Sequence, residues 1–242
     1  MEISHAGLLA VWEQGSARDA VERPLALLVA TTPGASWADV ASLPLGARDR
    51  RLVRLREDLF GTEVAASWAC SACGHRLEVS FSTNSLPTEE APDAGERLLS
   101  HGPYRVRFRL PTGEDLATAR DEQTVEGAAV RLLDRCLIEC RRDDAVLAAA
   151  DLPPEVIDAV EAAMEEADPG ADLWLEGACT GCGKSNVMAF DIASYLWAEI
   201  HASAVRVLWD VHALASAYGW SEDAILAMAP ARRRAYVELV TG

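Results

Sequence analysis

The sequence has no long apolar segment, little positive charge and none of the common catalytic motifs. No window holds the roughly 18 consecutive apolar residues that a membrane span requires, so a membrane protein is not expected. Lysine and arginine number 22 against 38 aspartates and glutamates, and the net charge of −16 would on average repel nucleic-acid phosphates. The sequence has no GxSxG, HExxH or glycine-rich phosphate-binding motif. These absences disfavour a duplex-DNA binder, and an enzyme is not expected.

The compartment of the protein is indicated by its first residues and by its cysteines. The N-terminus has an acidic residue at position 2 and no basic segment, which argues against a cleaved signal peptide. We therefore expect a cytoplasmic protein. Six cysteines in such a chain do not indicate a disulfide framework, because the cytoplasm keeps thiols reduced. Paired CxxC motifs in this context indicate metal ligands first.

Two CxxC motifs about a hundred residues apart have the same surroundings. "CSACG" ends at Gly74 and "CTGCG" ends at Gly183, and each is followed by an alternating segment that predicts a strand. A phenylalanine lies eight residues beyond the second cysteine of each motif, at Phe81 and Phe190. Glycine permits the positive φ with which a tight turn directs its amides at two sulfurs. The pattern predicts a repeated pair of zinc-knuckle hairpins.

One knuckle supplies two ligands, whereas a structural zinc ion takes four. We therefore predict one structural Zn²⁺ site with four thiolate ligands. Such a site has no open position for a water molecule, and a catalytic zinc site requires one. Two unrelated CxxC pairs, redox motifs, or His75 in place of one cysteine are the alternatives. A redox CxxC usually begins a helix, and these segments look extended. The predicted ligands are Cys70, Cys73, Cys179 and Cys182.

The remaining pattern predicts an α+β fold that is mainly helical, with a zinc-ribbon-like β unit built from the two remote hairpins. "YRVRFRL" alternates and predicts a strand near 104–110, whereas 122–149 carries a helical stripe of Val130, Leu133, Leu137 and Ile138. The predicted regions are an N-terminal helical region (1–61), a first hairpin (62–86), a mainly helical insertion with that one strand (87–171), a second hairpin (172–190) and a C-terminal helical region (191–242).

Other groups of reactive residues have simpler interpretations. Cys136 and Cys140 have helical i, i+4 spacing and no visible partner pair, so at least one is expected in the core. His201 and His212 lie eleven residues apart, near the same face of one predicted helix. They could bind a metal or act as acid and base, but packed or solvent-facing histidines are the expectation.

The C-terminal segment contains "VHALASAYGWSEDAIL" at 211–226, followed by "RRRAYVELV". These residues, with the earlier "CSACGHRLEVSF" and "VRFRLPTGEDL", resemble the baseplate hub assembly chaperone family of T-even phages, whose relatives occur in tailed phages and contractile injection systems. In this resemblance, a long helix ends at a Tyr-Gly-Trp, and an arginine cluster opens the last helix. The residues that match this motif, and that the resemblance offers for partner binding, are Tyr218, Trp220, Arg232, Arg233 and Arg234.

The resemblance implies a non-enzymatic assembly factor, chaperone or structural component of the baseplate hub of a contractile, phage-tail-like particle. Its partners would be hub or spike proteins, and it would either stay in the particle or leave after assembly. The residues alone also allow a zinc-ribbon adaptor that contacts nucleic acid or transcription machinery, although the acidic charge makes nucleic acid an unexpected partner.

Overall fold

The computed structural model describes residues 4–86 and 95–242 and shows an α+β fold, as the sequence predicts. The described helices are α1 (His5–Ser16), α2 (Arg23–Thr31), α3 (Trp37–Ala41), α4 (Leu45–Phe60), α5 (Gly113–Ala119), α6 (Val125–Cys136), α7 (Pro154–Ala167), α8 (Ile192–Tyr218), α9 (Glu222–Leu226) and α10 (Pro230–Thr241). The described strands are β1 (Glu63–Ala69), β2 (Arg76–Ser82), β3 (Arg97–His101), β4 (Tyr104–Phe108), β5 (Leu137–Arg142), β6 (Ala145–Leu147), β7 (Trp174–Ala178) and β8 (Ser185–Ala189). No helix in the described ranges is long and apolar enough to cross a membrane.

The main hydrophobic core lies among α1, α2, α4 and α8, with residues from β1 and β7. Apolar residues recur every three or four positions along α8, so they share one face of the helix. Burial of each large aliphatic side chain contributes about 1.5–3 kcal/mol, which makes this face the principal anchor of α8. The buried residues of this face are Ile192, Leu196, Ile200, Ala204 and Val207.

Helix α1 crosses α8 at a glycine. A Cβ atom on Gly15 would lie 2.4 Å from the Trp197 ring, so the close approach depends on the missing side chain. Gly15 does not end the helix, because α1 continues through it to Ser16. The packing of the indole on α1 explains the glycine better than a helix stop does.

The C-terminal helices begin and end at residues that cap them. The Asp191 side chain accepts hydrogen bonds from the first turn of α8, and Gly219 ends that helix with φ +68°. This left-handed conformation favours glycine. Ser221 then caps α9 by accepting a hydrogen bond from the backbone N–H of Ala224. The chain therefore reverses at Gly219 and returns along α8.

The region between the two CxxC hairpins contains more strands than predicted. An antiparallel sheet in the order β3-β4-β5-β6 replaces the single predicted strand, and the predicted helix over 122–149 ends at Cys136. The prediction of a helix from 137 onward was wrong because Leu137–Arg142 pairs with β4, and this non-local pairing overrides the local helical spacing. Likewise, β3 lies in the insertion predicted to be mainly helical, whereas residues 87–94 lie outside the described residues.

The four-stranded sheet packs on α7 and forms its own small core. Val106, Phe108 and Cys140 from the sheet meet Val156 and Val160 from α7. A buried acid group then fastens the end of α7 to the first helical region. The Asp168 carboxylate accepts a hydrogen bond from the Gly46 backbone N–H at 2.8 Å, and it lies 3.6 Å from Nη1 of Arg50.

Candidate metal centre

The first cysteine hairpin is a tight turn between two paired strands. β1 and β2 pair antiparallel up to Ala69 and Arg76, and the turn carries the CxxC motif. The Cys70 backbone N–H donates to the His75 carbonyl at 2.8 Å, and the Gly74 N–H donates to the Cys70 carbonyl at 2.9 Å. Gly74 has φ +73°, the conformation that the sequence predicted for it.

The second hairpin repeats this geometry on β7 and β8. The Cys179 N–H donates to the Lys184 carbonyl at 2.8 Å, and the Gly183 N–H donates to the Cys179 carbonyl at 2.7 Å. Gly183 also has φ +73°. Two segments more than a hundred residues apart therefore form the same knuckle.

The two knuckles face each other and bring the four cysteine sulfurs together. All four Sγ atoms lie within 4.8 Å of one another. The Cys70 and Cys182 sulfurs are 3.8 Å apart, and those of Cys73 and Cys179 are 3.7 Å apart. These distances are too long for disulfides, and all four thiols are free. Four sulfurs placed tetrahedrally at about 2.3 Å from a zinc ion would be separated by about 3.8 Å, so the group can hold a metal ion.

Acidity differs between the Cys70 and Cys73 thiols because their hydrogen bonds differ. The backbone N–H groups of Ala72 and Cys73 lower the pKa of the Cys70 thiol to about 6. The His75 N–H acts in the same direction on Cys73, but the sulfurs of Cys182, Cys179 and Cys70 raise the pKa of Cys73 to about 12. The Cys73 thiol therefore retains its proton, and a divalent cation is the kind of group that displaces a proton from such a set.

Polar side chains join the two knuckles beside the sulfurs. Oδ1 of the buried Asn186 accepts a hydrogen bond from the Ser71 backbone N–H at 3.2 Å, and its Nδ2 donates to the Lys184 carbonyl at 2.9 Å. On the other side, the His75 ring nitrogen Nε2 lies 3.0 Å from the Thr180 hydroxyl. His75 therefore links the knuckles and is not part of the four-residue ligand group.

An aromatic contact closes the other end of the two hairpins. The Phe81 and Phe190 rings, which the sequence places at equivalent positions, meet edge to face with centroids 5.3 Å apart. Tyr195 from α8 packs on Phe190, and its hydroxyl donates to the Ala65 carbonyl of β1 at 2.9 Å. These contacts connect the cysteine unit directly to the long C-terminal helix.

A buried arginine completes the connection. Arg56 of α4 donates from Nε and Nη2 to the Glu199 carboxylate of α8 at 3.0 and 3.1 Å. Its Nη1 donates to the Gly61 carbonyl at 2.6 Å, just before β1. The Glu199 hydrogen bonds and charge raise the pKa of Arg56 although burial alone would lower it. Sequence analysis missed Arg56, Tyr195 and Asn186 because no local pattern marks a contact between remote elements.

The other candidate residues are placed apart from this centre. His201 accepts a hydrogen bond from the Trp12 indole at 3.0 Å, and His212 contacts the Trp209 ring. The two histidines are eleven positions apart, which is about 16 Å along α8 and too far for them to share one ion. Cys136 and Cys140 are buried, and burial raises the pKa of both thiols, to about 11 for Cys136. Neither belongs to a metal-ligand group found among the described residues.

The Tyr-Gly-Trp segment forms an aromatic cluster at the turn after α8. Tyr218 stacks on Trp220 with centroids 4.6 Å apart, and Tyr236 of α10 meets Trp220 edge to face at 5.0 Å. Of the three arginines in the predicted partner-binding set, Arg232 and Arg234 are exposed. Arg233 is only 4% exposed and pairs with Asp210 of α8 at 2.9 Å, so the fold uses it internally.

The fold and the cysteine group together define an α+β protein with a zinc-ribbon-like unit assembled from two remote hairpins. A family model described as T4 bacteriophage base plate protein matches residues 26–197. The chain therefore belongs to this baseplate protein family, and membership indicates a baseplate-related role. The match includes both cysteine hairpins but ends before the Tyr-Gly-Trp segment. No curated protein and no solved structure matches the chain.

Proposed function

We propose that the four cysteines bind one structural Zn²⁺ ion. The arrangement of the sulfurs supports this proposal, because the sulfur–sulfur distances of 3.7–3.8 Å equal those between the ligands of a tetrahedral zinc ion bound by four thiolates. Thiolate-only sets select soft ions such as zinc over magnesium or calcium. Four thiolates fill a tetrahedral shell, which leaves no position for a reacting water molecule. The site would therefore support the fold, and a non-enzymatic protein is part of the proposal.

The proposed ion would join parts of the chain that lie far apart in sequence. Cys73 and Cys179 are 106 positions apart, and the whole insertion lies between them. Zinc binding to such a set couples to folding, because the ligands are not preassembled in the unfolded chain. The ion would thereby hold the insertion and α8 in one arrangement and present a fixed surface to other proteins.

We infer that the chain serves in the baseplate hub of a contractile, phage-tail-like particle, as an assembly factor, a chaperone or a structural component. The observation that carries this inference is the family match across residues 26–197. Hub and spike proteins are the proposed partners, and the place of action is the cytoplasm or the particle itself. The net charge of −16 is consistent with protein partners rather than nucleic acid.

Co-purification tests this role. A tagged chain should recover hub or spike proteins from cells that are producing particles, and deletion of its gene should leave particles without a complete baseplate. Particles that form normally without the chain, together with no recovered baseplate protein, would contradict the proposal. Salt-dependent binding to duplex DNA at physiological ionic strength would favour a nucleic-acid adaptor instead.

A further inference from the structure

Helix α6 carries an apolar stripe that the described part of the protein covers only in part, because Leu133 packs against the core of the four-stranded sheet whereas Val130 does not. The sequence predicts Val130, Leu133 and Leu137 as the buried side of this helix. In the structure, Val130 is 69% exposed, and Leu133 and Leu137 are half-buried. Cys136 is the one residue of α6 that is buried. An amphipathic helix whose apolar face remains partly in water indicates a surface that another molecule covers.

This stripe forms one wall of a groove of about 770 Å³ between α6 and α7. Val130 and Leu133 of α6 and Leu137 at the start of β5 line one side of the groove, and Ile157 of α7 lines the other. We call this feature the α6–α7 groove. Helix α6 has twelve residues and is therefore about 18 Å long, enough to contact three turns of a second helix.

The charged residues around the groove are mostly acidic. Four carboxylates and a single arginine, Arg131, line it along with the apolar residues. None of the four carboxylates forms an ion pair with a described residue. A partner with positive charge beside its apolar side chains would therefore find both an apolar surface and unpaired opposite charges. The four acidic residues are Glu122, Glu126, Asp134 and Glu161.

We propose that the α6–α7 groove binds a basic amphipathic helix of a partner protein. Apolar residues at i, i+3, i+4 and i+7 of that helix would cover Val130 and its neighbours, in the helix-in-groove mode. Lysines or arginines beside that stripe would meet Glu126 and Asp134 on one wall and Glu161 on the other. The identification of the partner as a baseplate protein rests on the proposed function, whereas the chemistry of the groove does not.

A model peptide tests the groove directly. The probe is a fluorescein-labelled 18-residue helix with leucines on one face and lysines on the other, titrated with the full-length protein by fluorescence anisotropy. Val130→Asp should weaken binding at least about tenfold, because it places a charge in the apolar contact. Val146→Asp is the matched control, since Val146 is 66% exposed on β6 and lies outside the groove. It should change the Kd by less than about twofold.

The contribution of charge has its own matched pair of variants. The double change Glu126→Gln and Asp134→Asn should weaken peptide binding and reduce its salt dependence, because two groove charges are removed. Glu155→Gln with Asp158→Asn removes the same charge from exposed positions of α7 outside the groove and should change binding less. Circular dichroism should show the same helix content in all four proteins, since each altered residue is exposed.

Several results would overturn the groove proposal. They are no binding of the peptide, equal binding to the Val130→Asp protein, or equal binding of a peptide whose leucines are replaced by glutamine.

Dimerisation that Val130→Asp abolishes would assign the groove to a second copy of the chain. If Val130→Asp protein still recovers baseplate proteins, the groove is not their docking site, although the baseplate role stands. If wild-type protein binds the peptide but recovers no baseplate protein, and particles form normally without the chain, the proposed hub role fails and the groove stands.

Discussion

At the residue scale, Asp115 shows how a buried carboxylate joins three elements. It is fully buried, and its oxygens accept hydrogen bonds from Arg109 at 2.6 and 2.8 Å and from Arg135 at 2.8 Å. It also accepts from the Thr112 hydroxyl and backbone N–H, and so caps α5. Burial would raise the pKa of Asp115, but the hydrogen bonds from Arg109 and Arg135 outweigh it and lower the pKa well below its ordinary value.

The lowered pKa of Asp115 predicts a pH dependence of stability. A depressed folded-state pKa contributes stability above the ordinary carboxyl pKa of about 4, and this contribution is lost as the pH falls below that value. We expect Asp115→Asn to destabilise the protein by about 2 kcal/mol at pH 7, because charge-assisted hydrogen bonds are lost. Urea unfolding at several pH values measures the difference from wild type, which should shrink below about pH 4.

An exposed acid group provides the control for this measurement. Asp121 has an 88% exposed side chain and lies 3.7 Å from Arg120. Asp121→Asn should change stability by less than about 0.5 kcal/mol at every pH. A difference between Asp115→Asn and wild type that stays constant down to pH 2 would show that the carboxylate charge does not supply the stabilisation.

At the element scale, the long helix α8 organises the C-terminal half of the fold. One face enters the main core, its Tyr195 side chain reaches the first cysteine hairpin, and its Glu199 side chain pairs with Arg56 of α4. Helix α10 returns along α8 and is held there by Arg233, whose side chain is 5% exposed. The arginine cluster that the family resemblance offered for partner binding is thus divided, with the middle residue turned inward.

The division of the cluster predicts different effects for neighbouring arginines. Arg233→Ala should destabilise the packing of α10 on α8 by about 2 kcal/mol, because it removes a charge-assisted hydrogen bond and leaves Asp210 without this partner. Arg234→Ala should change stability by less than about 0.5 kcal/mol, since Arg234 is exposed. Thermal melting and hydrogen exchange of α10 measure both effects, and equal losses would contradict this assignment.

At the scale of the whole molecule, the cysteine unit is the point where the chain closes on itself. The two hairpins come from either side of the insertion, and they contact α8 through Phe190 and Tyr195. The insertion is also fastened to α4 through Asp168 and Gly46. Loss of the proposed ion would therefore let the two hairpins separate and would leave the orientation of the insertion less restricted.

The closure predicts that one cysteine affects the entire chain. Cys179→Ser should reduce the bound zinc from one ion per chain to near none, and it should lower the melting temperature measured from the helical signal. The expected loss is several kcal/mol, because metal binding is coupled to folding. Removal of zinc from the wild-type protein by a strong chelator should have the same effect. Elemental analysis and circular dichroism provide the two measurements.

Cys140 offers a matched control for the cysteine substitution. It is buried in the core between the four-stranded sheet and α7 and lies outside the four-sulfur group. Cys140→Ala should cost some stability through lost packing but should retain the full complement of zinc. An unchanged melting temperature for Cys179→Ser would refute a shared site, as would full zinc content in that variant.

Much of this fold could be predicted from local patterns. The CxxC-Gly motifs, the alternation after them and the caps at Asp191, Gly219 and Ser221 depend on a few adjacent residues. The physical causes of these features, which are side-chain period, glycine conformational freedom and capping hydrogen bonds, are local as well. The pairing of the two knuckles also followed, because half a tetrahedral ligand set requires another half.

The remaining features depend on contacts between residues that are remote in sequence. Leu137–Arg142 became a strand because β4 offered it a pairing edge, and Val130 remained exposed because α7 did not cover it. Arg233 turned inward because Asp210 lies opposite it on α8. The sequence by itself determined the four cysteines, the end of α8 at Gly219, the start of α9 at Ser221 and the α+β class through local geometry. Only the tertiary structure decided which polar and apolar groups are covered, because coverage depends on the elements packed alongside.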